Sequence, residues 1–343
     1  MPPGREEGWN RGVNPALTLT LVASIVCAAT VGLYGARLAA HADETSGVAA
    51  VEAAAAAPAV VVPASFAAMD DALLASPMFE DPRFGSEVRR WVRFWETRHS
   101  QWLPTYLERM TWFEDNVDEV LAAHELPWSL RFLPVLESGY SPSAVSSASA
   151  VGLWQFMEPT ARDFGMEVTR IVDERRDPFK STEAAATFLG DFRRDFGSWF
   201  LALAAYNAGP ERIRGILARH APGAVLSDSL YWAIREHLPA ETRDFVPKFL
   251  GAVFVAAEPE EHGYEKPVAR PFVFDRVLVT AQTSLAAIAR AAGTSPEKIA
   301  RLNPEFISGV TPPNRNSYVR VPVGAGRTLQ ENATSRNGEG AGG

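Results

Sequence analysis

Residues Leu133–Arg162 read LPVLESGYSPSAVSSASAVGLWQFMEPTAR. A mostly apolar run that begins near Pro127 ends on a lone carboxylate, Glu137, and gives way to a turn rich in Ser and Gly. The spacing predicts a short helix, kinked where the Pro134 ring removes a backbone donor and stopped by Gly139, which tolerates the left-handed backbone of a helix end. Glu137 then falls in the last turn. The helix dipole presents partial negative charge there, and Leu133, Val135, Leu136 and Trp154 are placed to withhold water. Both effects disfavour carboxylate and raise the pKa. A general acid acting on a glycosidic oxygen needs that property, because it must keep its proton near neutral pH. A Glu at a helix end is by itself an ordinary surface residue, so the surrounding chain has to decide.

From Asp70 to about Glu261 apolar and aromatic residues recur at helical spacing, as in Val88, Trp91, Val92 and Trp95 and in Phe188, Leu189, Phe192 and Phe196. Ser181, ahead of Glu183-Ala184-Ala185-Ala186, reads as a helix cap, and Gly209-Pro210 as the end of one helix and the start of the next. After Glu265-Lys266-Pro267 the character changes. Phe272-Val273-Phe274 and Val277-Leu278-Val279 are β-rich, two short helical stretches follow, the second opened by Ser295-Pro296, and Tyr318-Val319-Arg320-Val321 closes the segment. The expected fold class is mainly α: a helical domain over 70–265 and a small C-terminal βααβ module over 268–323. The Gly, Asn and Ser tail, 324–343, has little to bury and is expected to be disordered.

At the other end, Ala16–Tyr34 carries no charge, follows Arg5 and Arg11, and precedes Ala40-His41-Ala42, which has the small-x-small form of a processing site. Residues 1–42 therefore read as a signal peptide or, since the run approaches the roughly 20 residues of a spanning helix, as an uncleaved membrane anchor. Residues 43–69 are almost entirely Ala, Val, Pro and small polar residues, a flexible linker. The single cysteine, Cys27, lies in the apolar run, so no intramolecular disulfide forms; the bulky Val26 before it argues against lipid attachment. A net charge of -8 argues against nucleic acid as a partner, because duplex binding depends on Lys and Arg releasing counterions. The six His are scattered without ligand spacing, which disfavours a metal hydrolase. No cofactor is expected.

Four segments then stand in order: Glu137-Ser138 with Gly152-Leu153-Trp154-Gln155-Phe156-Met157; Asp173 to Pro178 with the Ala184-Ala185-Ala186 helix; Ala204-Ala205-Tyr206-Asn207-Ala208-Gly209-Pro210; and Leu238-Pro239-Ala240-Glu241-Thr242-Arg243 with Phe245-Val246-Pro247-Lys248. Together they resemble the lytic murein transglycosylases of the lysozyme-like superfamily, and more closely the LysM-bearing membrane-bound type. That resemblance implies a lysozyme-like catalytic domain that cuts peptidoglycan between N-acetylmuramic acid and N-acetylglucosamine. It puts the catalytic acid on Glu137, sets Tyr206 beside it to stabilise positive charge on the sugar, and lines the substrate groove with Ser146, Gln155 and Asn207. Trp154 reads as groove wall and core, and Thr242 and Arg243 lie on a segment expected to pack against the catalytic helix. The partners implied are peptidoglycan glycan strands and, if the N-terminal segment is retained, the inner membrane; a monomer in the periplasm or cell envelope is expected.

Glycosidases commonly use two carboxylates, whereas the family's reaction needs one: the acid protonates the leaving oxygen and then, as a base, takes the proton of the sugar's own 6-hydroxyl, leaving a 1,6-anhydro end. Glu158, Asp163, Asp173 and Asp177 are near enough along the chain to supply a second, which keeps a hydrolytic lysozyme-type muramidase as the alternative. An inactive peptidoglycan-binding scaffold is the other. The C-terminal module resembles a LysM domain through Leu285-Ala286-Ala287-Ile288-Ala289, Gly293-Thr294-Ser295, Ile299 to Asn303-Pro304, and Val319-Arg320-Val321-Pro322. It departs from that family at Ala281-Gln282-Thr283, where Gly-Asp-Thr is usual, and lacks a Gly in Pro313-Asn314-Arg315-Asn316. The module therefore reads either as a glycan binder or as a structural cap.

Overall fold

The computed structural model describes residues 71–327, with Val62 and Leu329 beyond that run. Cys27, the apolar N-terminal segment, the site near Ala42 and nearly all of the linker lie outside the described residues, as does most of the tail.

Nine α-helices build the larger body among the described residues: α1 (Pro82–Thr97), α2 (Leu103–Ala123), α3 (Leu133–Ser138), α4 (Glu158–Asp163), α5 (Pro178–Phe196), α6 (Trp199–Ala208), α7 (Pro210–His220), α8 (Asp228–Ile234) and α9 (Ala240–Ala257). Most starts follow one rule. A side-chain oxygen satisfies amides that the first turn leaves free, as Asp81 does for Arg83 and Ser198 for Leu201, or Pro opens the helix where no donor is needed. The start of α5 differs from the sequence reading. Asp177, not Ser181, is its cap, accepting from the Phe179 and Lys180 amides ahead of Pro178; Ser181 lies a turn further in and donates to the Asp177 carbonyl.

Helix α6 is the axis. Trp199 to Ala205 are all buried, an apolar surface all round that only a central helix can have. Helix α9 continues through Pro247, whose missing amide leaves the Arg243 carbonyl without its helical donor. The Tyr231 hydroxyl of α8 donates to that carbonyl at 2.8 Å, which lets the helix run past the proline. Helix α9 also meets α1 closely: a Cβ on Gly251 would lie 2.9 Å from the Trp91 backbone carbon.

The C-terminal module pairs β1 (Asp275–Val279) antiparallel with β2 (Ser317–Val321), in the register Asp275↔Val321, and lays α10 (Leu285–Ala291) and α11 (Pro296–Leu302) against them. Its core is Val277, Leu285, Ile288, Ile299, Val319 and Val321, together with Val172 from the larger body. The fold is thus mainly helical with one small strand pair, as expected, but Phe272–Phe274, read as β-rich, lies outside the strands and β1 begins only at Asp275. The ordered chain continues past the expected start of the tail, because the Asp275 carboxylate accepts from the amides of Gly324 and Gly326.

Gly251→Ala should destabilise the protein by about 1–3 kcal/mol through overpacking against α1. Gly215→Ala, on α7 with nothing within 4 Å of its added methyl, should stabilise by about 0.5–1 kcal/mol. Thermal melting of the two variants checks the pair.

Candidate active site

The end of α3 is held from three sides. Ser138 Oγ donates to the Leu153 carbonyl at 2.8 Å, Tyr140 donates to the Arg131 carbonyl at 2.6 Å, and Arg109 donates to the Gly139 carbonyl at 3.3 Å. Gly139 closes the helix at φ +57, and a Cβ there would lie 2.4 Å from Tyr106 Cε1, so both backbone and space demand glycine. In place of the kink expected at Pro134 there is a change of helix type: Trp128–Phe132 is a 3-10 turn, and α3 starts at Leu133 with Pro134 in its first turn, where no donor is needed. Glu137 sits in the last turn, as the sequence implies.

Opposite lies the loop 144–156, tied by single bridges Val145↔Val151 and Val151↔Phe156. Trp154 is 1% exposed, donates to Thr182 Oγ1 at 2.9 Å and is core. Its carbonyl accepts the Tyr206 hydroxyl, which fixes the phenol from α6 over the loop. Gln155 is strained at φ +51 and donates to the Gly152 carbonyl at 2.9 Å. Ser146 Oγ accepts the Ala150 amide at 3.0 Å. Ser146 and Gln155 therefore brace their own loop with their present bonds, and both stay half-buried.

Glu137 is half-buried, its Leu133, Val135 and Trp154 neighbours are buried, and no hydrogen bond to its carboxyl is present among the described residues. Loss of water raises its pKa to about 8, helped by the negative charge of Glu241 and opposed by Lys248. Burial and the charge of Glu137 in turn hold the Tyr206 phenol well above its ordinary value, so Tyr206 remains a donor. Tyr206 and Glu137 are therefore brought together electrically, but the phenol bonds the Trp154 carbonyl, not the acid.

Asn207, next on α6, accepts from Thr242 Oγ1 at 2.7 Å and points its amide at Glu241 Oε1, 3.4 Å away. Thr242 is buried, while Arg243 pairs with Glu236 at 3.0 Å. Two groups that sequence reasoning passed over thus belong to the site: Glu241 and Lys248. They stand seven residues apart on α9, hence on one face of that helix, a spacing that was readable in advance. The four carboxylates considered from the sequence as second acids are not among the charges acting on Glu137. Three have other partners: Glu158 pairs with Arg162, Asp173 with Arg175, and Asp177 with Arg320. A cavity of ≈ 640 Å³ beside α5, lined by Phe164, Met166, Phe179 and Lys180, contains none of the site residues, so volume does not mark the site here.

Against known proteins, residues 119–221 match the model described as "Transglycosylase SLT domain", and residues 273–337 the model described as "Lytic transglycosylase MltD, LysM-like domain". Residues 119–221 are thus similar to an SLT domain. Glu137, Ser146, Gln155, Tyr206 and Asn207 lie within the matched span, and α9 lies beyond it. The chain is homologous to membrane-bound lytic murein transglycosylase D of Escherichia coli K12, 31% identical over 212 residues, 61% of this chain and 46% of that protein. It thus spans about half the length of that relative. Among solved structures, the 70 kDa soluble lytic transglycosylase of Escherichia coli aligns with TM-score 0.37 and 22% identity, over 55% of this chain and 32% of the other. An inactive variant of lytic transglycosylase Slt from Pseudomonas aeruginosa aligns with TM-score 0.36 and 24% identity, over 46% and 25%. Both halves of the resemblance seen in the sequence are matched, the SLT domain and the LysM-like module. Among the described residues, no helix is long and apolar enough to cross a membrane.

The raised pKa has a consequence for stability. The folded protein keeps a proton on Glu137 that the unfolded chain releases above its ordinary value of 4.5, so stability falls as pH climbs from there toward about 8. Glu137→Gln is neutral throughout. Its melting temperature should exceed that of the wild type by a margin that widens between about pH 5 and about pH 8.

Proposed function

We propose that the protein is a peptidoglycan lytic transglycosylase, cutting the β-1,4 bond between N-acetylmuramic acid and N-acetylglucosamine with Glu137 as acid and then base. What supports this is the placing of the half-buried Glu137 carboxyl at the meeting of α3, α6 and α9, where loss of water pushes its pKa up to about 8, beside a Tyr206 phenol that burial also raises. Protonated Glu137 delivers its proton to the leaving oxygen of N-acetylglucosamine as the bond to the muramic anomeric carbon breaks. The substrate's acetamido group shields that carbon. The 6-hydroxyl oxygen then bonds to it, and the hydroxyl proton returns to Glu137, so no water is consumed and a 1,6-anhydro end results.

Tyr206, its hydrogen committed to the Trp154 carbonyl, has oxygen lone pairs left to face positive charge on the sugar. Ser146, Gln155 and Asn207 line the groove in this reading. One observation favours the hydrolytic alternative: Glu241 is a second carboxylate close enough to act on Glu137, as a water-activating base would need to be. We read it instead as a substrate-facing group that also keeps Glu137 protonated. The enzyme would work as a monomer in the periplasm or cell envelope, exported by residues 1–42 and anchored by them if they are not removed, with the LysM-like module holding glycan.

Digestion of purified sacculi, with products identified by mass, tests the reading. Anhydro ends are expected from the wild type, and Glu137→Gln should lose about 10²–10⁴-fold in rate. Reducing ends would establish a muramidase, and equal activity in the variant would remove Glu137 from the chemistry. Activity should decline as pH rises through about 8, where the acid form is lost. Glu241→Gln should move that decline to lower pH and Lys248→Met to higher pH, because the first removes a charge that raises the Glu137 pKa and the second one that lowers it.

A further inference from the structure

The segment between α4 and α5 ties the C-terminal module to the loop that carries Trp154 and Gln155. On the module side, Val172 is 1% exposed within the module's own core. The Asp173 amide donates to the Glu305 carbonyl at 2.9 Å. Arg320, on β2, reaches across with one arm to Asp177 at 2.6 Å and with the other holds Glu305 of its own module at 2.8 Å. All three of these side chains are nearly buried, at 12%, 7% and 7% exposed, and the guanidinium lies 4.9 Å from the Phe179 ring centroid.

On the site side, Arg175 makes a two-pronged pair with Asp173, with both bonds at 2.8 Å. Its remaining arm donates to the carbonyls of Ser149 and Phe156, at 3.1 and 3.2 Å, one in the middle and one at the end of the site loop. Between those two residues Gly152 presses on the Arg175 carbonyl so closely that a Cβ would lie 1.8 Å from it. Asp173 thus bonds the module through its amide and the loop-holding arginine through its carboxylate. Four residues on, Asp177 caps α5 with one oxygen and takes Arg320 on the other.

We infer that the C-terminal module positions the site loop, through the Arg320 clamp on Asp177 and Glu305 and the Arg175 clamp on Asp173, Ser149 and Phe156. Arg320 and Arg175 are positioning residues for the activity proposed above, and the inference rests on that reading for its catalytic consequence. The physical reason is that a nearly buried guanidinium cannot drift from its carboxylates without leaving charge unpaired away from water, so the segment it grips is rigid. The Trp154 carbonyl that fixes Tyr206 sits on the gripped loop. The module is then part of the catalytic body as well as any hold on the wall.

The test uses the full chain as wild type, Arg320→Gln, Arg320→Lys and Arg315→Ala. Arg315 pairs with Glu167 at the exposed rim and serves as the control for a broken contact outside the clamp. Two readouts are taken below the melting temperatures of all four. One is hydrogen exchange at the amides of Val151, Gly152 and Phe156, which bond within the loop. The other is turnover of a short soluble peptidoglycan fragment, for which retention on the insoluble wall plays no part.

Arg320→Gln should lose exchange protection in that loop and fall about ten- to a hundredfold in kcat, with KM moving less than about twofold. Arg320→Lys, keeping the charge without the two-armed geometry, should lie between, and Arg315→Ala should match the wild type. Unchanged protection in Arg320→Gln overturns the inference, as does lost protection with wild-type kcat. If the wild type itself leaves the fragment uncut, the proposed activity fails, and the exchange measurement still decides whether the module holds the loop.

Discussion

A carboxyl withdrawn from water and given no hydrogen-bond donor stays uncharged, and the elements around Glu137 serve that condition. The last turn of α3 carries it, Gly139 ends the helix, and Leu133, Val135 and Trp154 are buried. Placing an acid this way costs folding free energy at neutral pH. Packing elsewhere offsets that cost, as along the buried apolar stretch Trp199–Ala205 of α6 and where α1 meets α9 at Gly251.

Charge then sets the working point. Glu241 and Lys248 act on Glu137 in opposite senses from one face of α9, so the acid answers to two nearby charges beyond its loss of solvent. Lys248 is itself backed by aromatic surface, 5.4 Å from the Trp91 ring centroid and 5.8 Å from that of Phe94. Tyr206 shows another use of burial: its hydroxyl donates to the Trp154 carbonyl, so its hydrogen is already committed. In the proposed reaction the two residues would offer different chemistry, one a proton and the other electron density.

The strand-containing module is joined to the helical body by more than its linking segment. Val172 completes its core, Arg320 spans the boundary, and the aromatic run Phe272 to Phe274 packs on Phe179 from α5. A small βααβ unit has little apolar surface to bury alone, and borrowing a side chain and an ion-pair network from its neighbour offsets that deficit.

The amino-acid sequence by itself determined the local features. Helical periodicity, the glycine stop after Glu137, the Gly209-Pro210 break and the order of elements in the C-terminal module are set within a few residues, where backbone sterics and capping act. It misplaced the cap of α5, because Ser181 and Asp177 are both plausible caps and only Pro178 after Asp177 favours the earlier start. What the tertiary structure decided is everything that depends on residues distant in the chain. That Glu241 and not a nearer carboxylate acts on Glu137, that Tyr206 bonds a carbonyl instead of the acid, and that Arg320 grips Asp177 all follow from how α9, α6 and β2 are brought against α3 and α5. Coulomb forces and desolvation depend on distance through space, and sequence separation does not report that distance.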